Sequence, residues 1–222
     1  MKQILTKDGS CTLHSEKYDE TYHSVSGAVE EAFEKFVKPC RIAEINNPRV
    51  LDICLGLGYN SAAAVSLNQD IEIVGLENDE KLFDEIQKLE PELKYYGVVK
   101  KLVNEPSLEY AEDKIKIKLV MGDARETIKK LNGKFDAAFL DGFSPKKCPE
   151  LWTYEFFSDI IKLMKPGAIL ATYSCARVVR ENLKRAGFIV KNGPAVGRRA
   201  PSTIAIAPVV QSGQNTAPRL IK

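Results

Sequence analysis

Apolar and polar residues alternate along this chain with two different periods, and each period predicts a different kind of element. Residues 114–121 (KIKIKLVM) alternate at period two, which is typical of a strand with one buried face, whereas 135–140 (FDAAFL) is an apolar run typical of a fully buried strand. Within 150–164, Phe156 and Ile160 recur at the spacing of one helix face. The chain is therefore predicted to alternate between strands and helices.

From residue 49 onward the same patterns assign a regular repeat of strand and helix. Predicted strands cover residues 49–56, 71–77, 114–121, 135–140, 168–174, 188–191 and 202–207. Predicted helices cover residues 61–67, 79–89, 124–131, 150–164 and 176–186, with a helical insertion within 90–113. Strands that alternate with helices favour an α/β fold with a mostly parallel, doubly wound sheet.

The first 46 residues lie outside this repeat. Residues 2–15 are typical of a small hairpin that turns at Asp8 and Gly9. Ser26 is predicted to cap a helix whose first turn carries acids, which the helix dipole favours there. The predicted segments are a hairpin-and-helix appendage of the same domain (1–46), the remainder of the domain (47–210) and a flexible tail (211–222).

Composition excludes several classes of protein. The 222 residues are 44% apolar and 28% charged, as in ordinary soluble domains, and no apolar run approaches the roughly 20 residues of a membrane span. The segment MKQILTKDGS lacks the apolar core of a signal peptide, so we expect a cytoplasmic protein. Five scattered cysteines without a CxxC pair, and two histidines, predict neither a disulfide framework nor a metal site. A net charge of +2 permits a nucleic-acid partner without requiring one.

Three successive predicted strands end in residues that suit a nucleotide-like ligand. Gly56 and Gly58 precede a helix, where glycines allow close approach of the backbone and the helix dipole favours negative charge. Glu77 ends the next strand, where an acid can bind ribose hydroxyls. Asp123 begins the helix after the third strand, where it can cap the helix, contact a ligand or do both. Because the carboxyl ends of parallel strands share one edge of a sheet, we expect a ligand cleft there.

The glycine loop fits two cofactors, and a tight turn without a ligand is a third interpretation. NAD enzymes carry GxGxxG, but Ser61 stands where the third glycine is expected when counting from Gly56. Methyltransferases that use S-adenosylmethionine (SAM) carry a looser E/DxGxG pattern, and Cys54 stands at the position of its acid. Cys54 is therefore a departure from either pattern.

The fourth predicted strand ends on Asp141, which is followed by a glycine, an aromatic residue, a serine and a proline. A carboxylate at this strand tip can orient an amine and take its proton, which matters because an alkylammonium, with a pKa near 10, has no lone pair. General-base assistance is typically worth about 10²–10⁴-fold in rate. Phe143 could wall such a site and pack on a planar ring. A plain turn residue is the alternative interpretation of Asp141.

The segment 140–153 (LDGFSPKKCPELWT) resembles the signature LDGFxPxKNPxxW of the MnmC-type tRNA methyltransferases, with Cys148 in place of the usual asparagine. The resemblance continues through 19–31 (DETYHSVSGAVEE), 55–60 (LGLGYN) and 197–202 (GRRAPS), and it covers nearly the whole chain. It implies a Rossmann-like, class I SAM-dependent methyltransferase without a metal. The expected reaction converts 5-aminomethyl(-2-thio)uridine at the tRNA wobble position to its 5-methylaminomethyl form. The FAD-dependent oxidase half that many bacterial members carry is not expected here.

The resemblance also implies roles for individual residues. Asp141 would be the catalytic carboxylate, and the segment from Tyr22 to Gly27 would close over the cofactor. The residues expected to contact SAM are Tyr22, Ser24, Gly56, Gly58, Asn60, Glu77, Asp123 and Ala124. The residues expected to contact the anticodon loop of tRNA are Phe143, Lys146, Lys147, Arg198 and Arg199. A further basic helix face, which fits either tRNA phosphates or solvent, comprises Arg177, Arg180 and Lys184.

Other functions stay open at this point. An aminopropyltransferase of the spermidine-synthase type would share the fold and the N-terminal hairpin, but it would carry a GGGDG-like loop and use decarboxylated SAM. A NAD-dependent oxidoreductase would need a Tyr-x-x-x-Lys or His–Asp arrangement that the sequence lacks. A methyltransferase of small amines is a further alternative. A catalytically silent RNA-binding module would protect tRNA without binding SAM, and the presence of both Asp141 and Glu77 argues against it.

Overall fold

An eight-stranded sheet lies at the centre of the computed structural model, which describes residues 1–209. The strands are β1 (Lys2–Leu5), β2 (Cys11–Ser15), β3 (Glu20–Thr21), β4 (Arg49–Ile53), β5 (Ile71–Glu77), β6 (Glu109–Glu112), β7 (Ile115–Met121), β8 (Phe135–Leu140), β9 (Met164–Thr172), β10 (Ile189–Asn192) and β11 (Thr203–Ile206). The helices are α1 (Ala28–Glu31), which continues as a π-helical segment (Ala32–Val37), α2 (Tyr59–Leu67), α3 (Leu82–Lys88), α4 (Tyr96–Asn104), α5 (Ala124–Thr127), α6 (Tyr154–Leu163) and α7 (Arg177–Arg185). The predicted tail, 211–222, lies outside the described residues.

The central sheet has the strand order β10-β11-β9-β8-β4-β5-β7-β6. The five strands from β9 to β7 pair in parallel, and β10, β11 and β6 are antiparallel at the two edges. Successive residues of β4 enter different cores: Val50 belongs to the buried cluster that contains Phe36 and Val99, whereas Leu51 belongs to the one that contains Phe157 and Leu183. Helices therefore cover both faces, and the predicted mostly parallel, doubly wound α/β fold is confirmed.

Two parts of the sheet differ from the prediction. The stretch 90–113 does contain a helix, α4, but it also contains β6, which pairs with β7 and extends the sheet. Strand β6 could not be predicted from an alternation of apolar and polar residues, because only Tyr110 of its four residues is buried. Strand β9 begins at Met164 and therefore includes Pro166 and Gly167, which lie between the predicted helix 150–164 and the predicted strand 168–174. Proline is tolerated there because it lies at the outer end of the strand.

The N-terminal appendage is a three-stranded sheet, β1-β2-β3, that packs against α1 and its π-helical continuation. The prediction that Ser26 caps this helix is wrong, because the hairpin supplies the caps instead. The backbone N–H of Ala28 donates to Ser10 Oγ at 3.0 Å, and that of Glu30 donates to Asp8 Oδ2 at 3.0 Å. These bonds fix the helix to the hairpin, so one face of the helix is held near the carboxyl edge of the central sheet.

Within residues 1–209, no helix combines the length and the apolar character that crossing a bilayer requires.

Candidate active site

A cavity of about 790 Å³ opens between the carboxyl edge of the sheet and the N-terminal appendage. Glu77 at the end of β5, Asp123 after β7 and Asp141 after β8 all line it. Tyr22 and Glu31 line it from the appendage. The structure thus brings together the strand ends at which the sequence analysis predicted a ligand cleft. The volume of the cavity lies in the usual range for a small-molecule or cofactor site.

Glu77 is tied to the glycine loop by backbone hydrogen bonds. Its Oε2 accepts from Gly56 N at 2.9 Å, and its Oε1 accepts from Asn78 N at 2.7 Å and from Asp79 N at 3.1 Å. Burial raises the pKa of Glu77, while these three N–H groups oppose the rise. A carboxylate held in this way keeps lone pairs available on the cavity side, where ribose hydroxyls could donate to them.

The loop after β4 has a different register from the one that the sequence suggested. Cys54 has a left-handed φ of 63°, close to the 59° of Gly56. Asp52 is fully buried in β4, and Ser61 Oγ donates to its Oδ2 at 2.6 Å. If the E/DxGxG pattern is aligned on Asp52, its acid is present and Cys54 occupies the position of the first glycine. The departure from the pattern is therefore a cysteine in a left-handed conformation, and no acid is missing.

Gly58 and Asn60 are placed beneath the cavity surface. Gly58 has a φ of 77°, and a Cβ built on it would lie 2.4 Å from Val99 Cγ1, so α4 packs directly against this backbone. Asn60 is buried in the first turn of α2, and its Nδ2 donates to Asp141 Oδ2 at 2.9 Å. Their expected contacts with SAM stay predictions, whereas the structure gives Gly58 a packing role and Asn60 a role in orienting Asp141.

Asp123 serves as the N-cap of α5 and also lines the cavity. Its Oδ1 accepts from Arg125 N at 2.9 Å, and its Oδ2 lies 2.5 Å from the Arg125 guanidinium. The Arg125 side chain lowers the pKa of Asp123. Ala124 follows it in the cavity wall. The cap is therefore confirmed, and Asp123 lies in the cavity wall, where its contact with a ligand stays a prediction.

Asp141 lies at the tip of β8, where its backbone N–H donates to Ile53 O at 3.2 Å and extends the parallel pairing by one residue. Its side chain is half-buried and accepts from Asn60 through Oδ2. Burial raises the pKa of Asp141 well above its ordinary value, and the nearby carboxylate of Glu31 raises it further. Asp141 is therefore a stronger proton acceptor than an exposed carboxylate, at the position where the resemblance implies catalysis.

A strap formed by residues 15–24 covers the loop that follows β8. The ring of Tyr18 stacks on Phe143 with centroids 4.3 Å apart, and the ring of Tyr22 meets Phe143 edge-on at 5.0 Å. Glu20 Oε2 accepts from Ser144 N at 2.9 Å, and Ser144 Oγ donates to the other oxygen of the same carboxylate. Sequence reasoning placed Tyr22 here but missed Tyr18 and Glu20, although both lie in or beside the segment 19–31 that carries the resemblance.

The basic residues expected to hold tRNA are spread over different surroundings. Arg198 lines the cavity and donates to Tyr173 O, whereas Lys147 is exposed and lies 3.4 Å from Asp19. Lys146 and Arg199 are exposed outside the cavity lining.

The basic face of α7 divides between structural and surface roles. Arg180 donates to Thr203 Oγ1 at 3.0 Å and to Asn192 Oδ1 at 2.6 Å, which joins α7 to the adjoining edge strands. Arg177 pairs with Glu181 at 2.6 Å on an exposed surface. A structural role is therefore favoured for Arg180.

Three buried polar residues of the cavity wall were not singled out from the sequence. Glu31 and Lys35 form an ion pair at 2.5 Å, with side chains only 8% and 4% exposed. His23 is buried, its Nδ1 has no hydrogen-bond partner among residues 1–209, and burial lowers its pKa to about 4. Glu31 is one of the acids that the helix dipole favours in the first turn of the N-terminal helix, and only the packing of that helix on the sheet shows that it faces the cavity.

The residues present fit a cofactor of the SAM type. The buried Glu77 suits a pair of ribose hydroxyls, the wall around Asp123 and Ala124 suits an adenine, and buried charges of both signs lie near Asp141. Within residues 1–209, no group of three His, Cys, Asp or Glu side chains is arranged to hold a metal ion.

Comparisons with known proteins agree with this geometry. A family model described as S-adenosyl-L-methionine-dependent methyltransferase matches residues 85–208. The crystal structure of MnmC2 from Aquifex aeolicus superposes with a TM-score of 0.78 at 35% identity, covering 94% of this chain and 71% of that one. This chain belongs to the SAM-dependent methyltransferases of the MnmC type. SAM is the cofactor of this family, so the NAD interpretation of the glycine loop is wrong.

Relatives of this methyltransferase differ in length and in what is known of them. An uncharacterized protein of Methanocaldococcus jannaschii is 40% identical over 207 residues, which are 91% of this chain and 58% of that protein. The tRNA 5-methylaminomethyl-2-thiouridine biosynthesis bifunctional protein MnmC of Pseudomonas entomophila is 29% identical over 84% of this chain and 32% of its own length. The chain thus spans about a third of that bifunctional relative.

A spermidine synthase structure superposes on this methyltransferase with a TM-score of 0.65 at 14% identity. That likeness shows a shared fold. The expectation that the two enzyme classes have a common architecture is therefore confirmed at the level of the fold.

Proposed function

We propose that this methyltransferase acts on the amine of 5-aminomethyl(-2-thio)uridine at the wobble position of tRNA, giving the 5-methylaminomethyl form. The observation that carries the proposal is Asp141, a carboxylate with a raised pKa at the tip of β8 in the cavity wall. Relatives named for tRNA 5-methylaminomethyl-2-thiouridine biosynthesis, such as the Pseudomonas MnmC proteins, support tRNA as the substrate class. A cytoplasmic location is part of the same proposal.

Asp141 performs the proton chemistry of this proposal. Bound SAM supplies an electrophilic methyl group on its sulfonium, and the amine must present a lone pair to receive it. Asn60 holds Asp141 Oδ2, which leaves Oδ1 to accept a hydrogen bond from the substrate amine and then its proton. The proton that leaves nitrogen passes to this carboxylate and from there to solvent. The raised pKa brings Asp141 closer to the pKa of the amine and so reduces the mismatch of the transfer.

The other residues of the site bind and enclose the reactants. Glu77 and Asp123 would hold the nucleoside half of the cofactor, and the strap over Phe143 would exclude water from it. Lys146, Lys147, Arg198 and Arg199 would contact phosphates of the anticodon loop while the wobble base enters the cavity.

The test is transfer of labelled methyl from SAM to tRNA that lacks the final methyl group, followed by analysis of the nucleosides. Wild-type protein should place label in 5-methylaminomethyluridine, and Asp141→Asn should reduce the rate by about 10²–10⁴-fold because the amide cannot accept the proton. SAM affinity should stay within a few-fold of wild type in the same variant. Tight binding of SAM with no transfer to any tRNA would overturn the tRNA proposal and direct the search to small amines.

A further inference from the structure

An ion pair on the N-terminal helix lines the cavity although both of its side chains are almost fully buried. Lys35 Nζ lies 2.5 Å from Glu31 Oε1, and the two side chains are 4% and 8% exposed. Removing two charges from water is costly unless further partners satisfy them. A buried pair that faces a cavity therefore raises the question of which of its hydrogen-bonding groups remain for a ligand.

The two members of the pair are satisfied to different extents. Glu31 uses both of its oxygens, because Oε1 accepts from Lys35 and Oε2 accepts from Ser24 N at 2.7 Å. An ammonium has three donors, and within residues 1–209 Lys35 directs one of them to Glu31. Lys35 thus keeps two charged donors in the wall of the cavity, and an anion is the group that would satisfy them.

The charges around the cavity single out Lys35 as the anion-binding group of its inner part. Glu77, Asp123 and Asp141 give the wall a negative character. Among the cationic side chains that line the cavity in residues 1–209, those of Lys17, Lys81 and Arg198 are exposed, and that of Lys35 is the buried one.

Lys35 is also near the place of methyl transfer. Its charge lowers the pKa of Asp141, against the rise that burial and Glu31 cause, so the ammonium and the carboxylate share one part of the cavity. The methionine end of SAM carries the reacting sulfonium and must therefore approach Asp141 as well.

A second polar group in the same wall lacks a protein partner. His23 is 6% exposed, lines the cavity, and leaves Nδ1 without a hydrogen bond among residues 1–209. The charge of Glu31 acts on it, so it lies in the same neighbourhood. A neutral imidazole nitrogen can accept from an ammonium. Lys35 and His23 together offer one group for each charge of an amino-acid moiety.

We infer that Lys35 binds the carboxylate of the methionine moiety of SAM and makes this protein select SAM over decarboxylated SAM. The inference rests on the use of SAM and on the place that the proposed function gives to Asp141, and it does not depend on tRNA as the substrate. It assigns to one side chain the choice between the cofactor of a methyltransferase and that of an aminopropyltransferase, two enzyme classes that share this fold. Glu31 acts on the cofactor indirectly, by holding Lys35 and the strap residue Ser24 in place.

The test compares calorimetric affinities for SAM and decarboxylated SAM in the absence of RNA. Wild-type protein should bind SAM at least tenfold more tightly. The double variant Glu31→Gln/Lys35→Met removes both charges and leaves no unpaired buried acid, so it should weaken SAM by about 10- to 100-fold. Its affinity for decarboxylated SAM should change less than about threefold.

A matched control lies one turn away on the same helical segment. Lys38 and Glu34 form the same type of i,i+4 pair on an exposed surface outside the cavity lining. Glu34→Gln/Lys38→Met should leave both affinities unchanged. Lys35→Arg keeps the charge and should keep the preference for SAM.

Two results would overturn the inference. Equal loss of affinity for both cofactors in the Glu31/Lys35 double variant would show that the pair only supports the structure. Equal affinity of wild-type protein for SAM and decarboxylated SAM would refute it without any variant, which keeps the test valid if the double variant does not fold. Neither result depends on whether tRNA accepts the methyl group.

Discussion

Gly58 shows how a single residue of a cofactor loop can be fixed by packing as well as by a ligand. It has a φ of 77°, and its α-carbon faces Val99 of α4 so closely that a Cβ would lie 2.4 Å from Val99 Cγ1. Gly97, in the first turn of α4, has no atom within 4 Å of the corresponding position. Contact with α4 thus requires a glycine at position 58, just before α2, whereas Gly97 within α4 itself is under no such restriction.

Gly58→Ala should therefore lower the free energy of unfolding by about 2–4 kcal/mol, since it adds a left-handed alanine and an overpacked contact. Gly97→Ala should raise it by about 0.5–1 kcal/mol through helix propensity alone. Denaturant unfolding of both variants measures the difference. In the double variant Gly58→Ala/Val99→Ala the contact is relieved, so the combined loss should be smaller than the sum of the two single losses. Strict additivity would show that backbone conformation alone determines this glycine.

At the scale of elements, the strap over the cavity depends on one carboxylate and one aromatic pair. Glu20 accepts two hydrogen bonds from Ser144, and Tyr18 stacks on Phe143. The neighbouring acid, Asp19, is exposed and makes only longer contacts, at 3.5 Å to His14 and 3.4 Å to Lys147. Closure of the strap is therefore expected to depend on Glu20 and hardly on Asp19.

Glu20→Ala should weaken SAM binding on the order of tenfold, because two hydrogen bonds to a charged acceptor are lost and the closed strap is less populated. Amide hydrogen exchange in residues 16–22 should become faster in the same variant. Asp19→Asn, its adjacent control, removes the charge and keeps a side chain that tolerates the left-handed φ of 50° at this position, so it should change neither quantity by more than about twofold. If both variants bound SAM as wild type does, the strap would have no part in retaining the cofactor.

At the scale of the whole molecule, the sequence predicted what depends on periodicity and missed what depends on packing. The parallel strands and the acids at their tips were predictable, because apolar runs that end in Glu77 or Asp141 are local patterns. The capping of α1 by Asp8 was not, since it joins residues 22 positions apart. The cavity position of Lys35 was missed for the same reason: a lysine within a helix is normally exposed, and only the tertiary structure buries this one.

The buried acid of β4 gives a prediction about global stability. Burial raises the pKa of Asp52 to about 7, and Ser61 partly opposes that rise by donating to it. In the unfolded chain the same group titrates near 3.9. Between these two values the folded protein binds more protons than the unfolded chain does, so the stability that Asp52 contributes is present below about pH 4 and is lost as pH rises to about 7.

Wild-type protein should therefore lose about 4 kcal/mol of unfolding free energy over this interval relative to Asp52→Asn, whose side chain does not titrate. Denaturant unfolding at pH 4, 5.5, 7 and 8.5 measures the two curves, and their difference removes the contributions of Glu77 and Asp141. Ser61→Ala removes the hydrogen bond that favours the charged form of Asp52. The unfolding free energy of this variant should therefore continue to fall up to a higher pH than that of wild type. Parallel curves for wild type and Asp52→Asn would contradict a raised pKa of Asp52 in the folded protein.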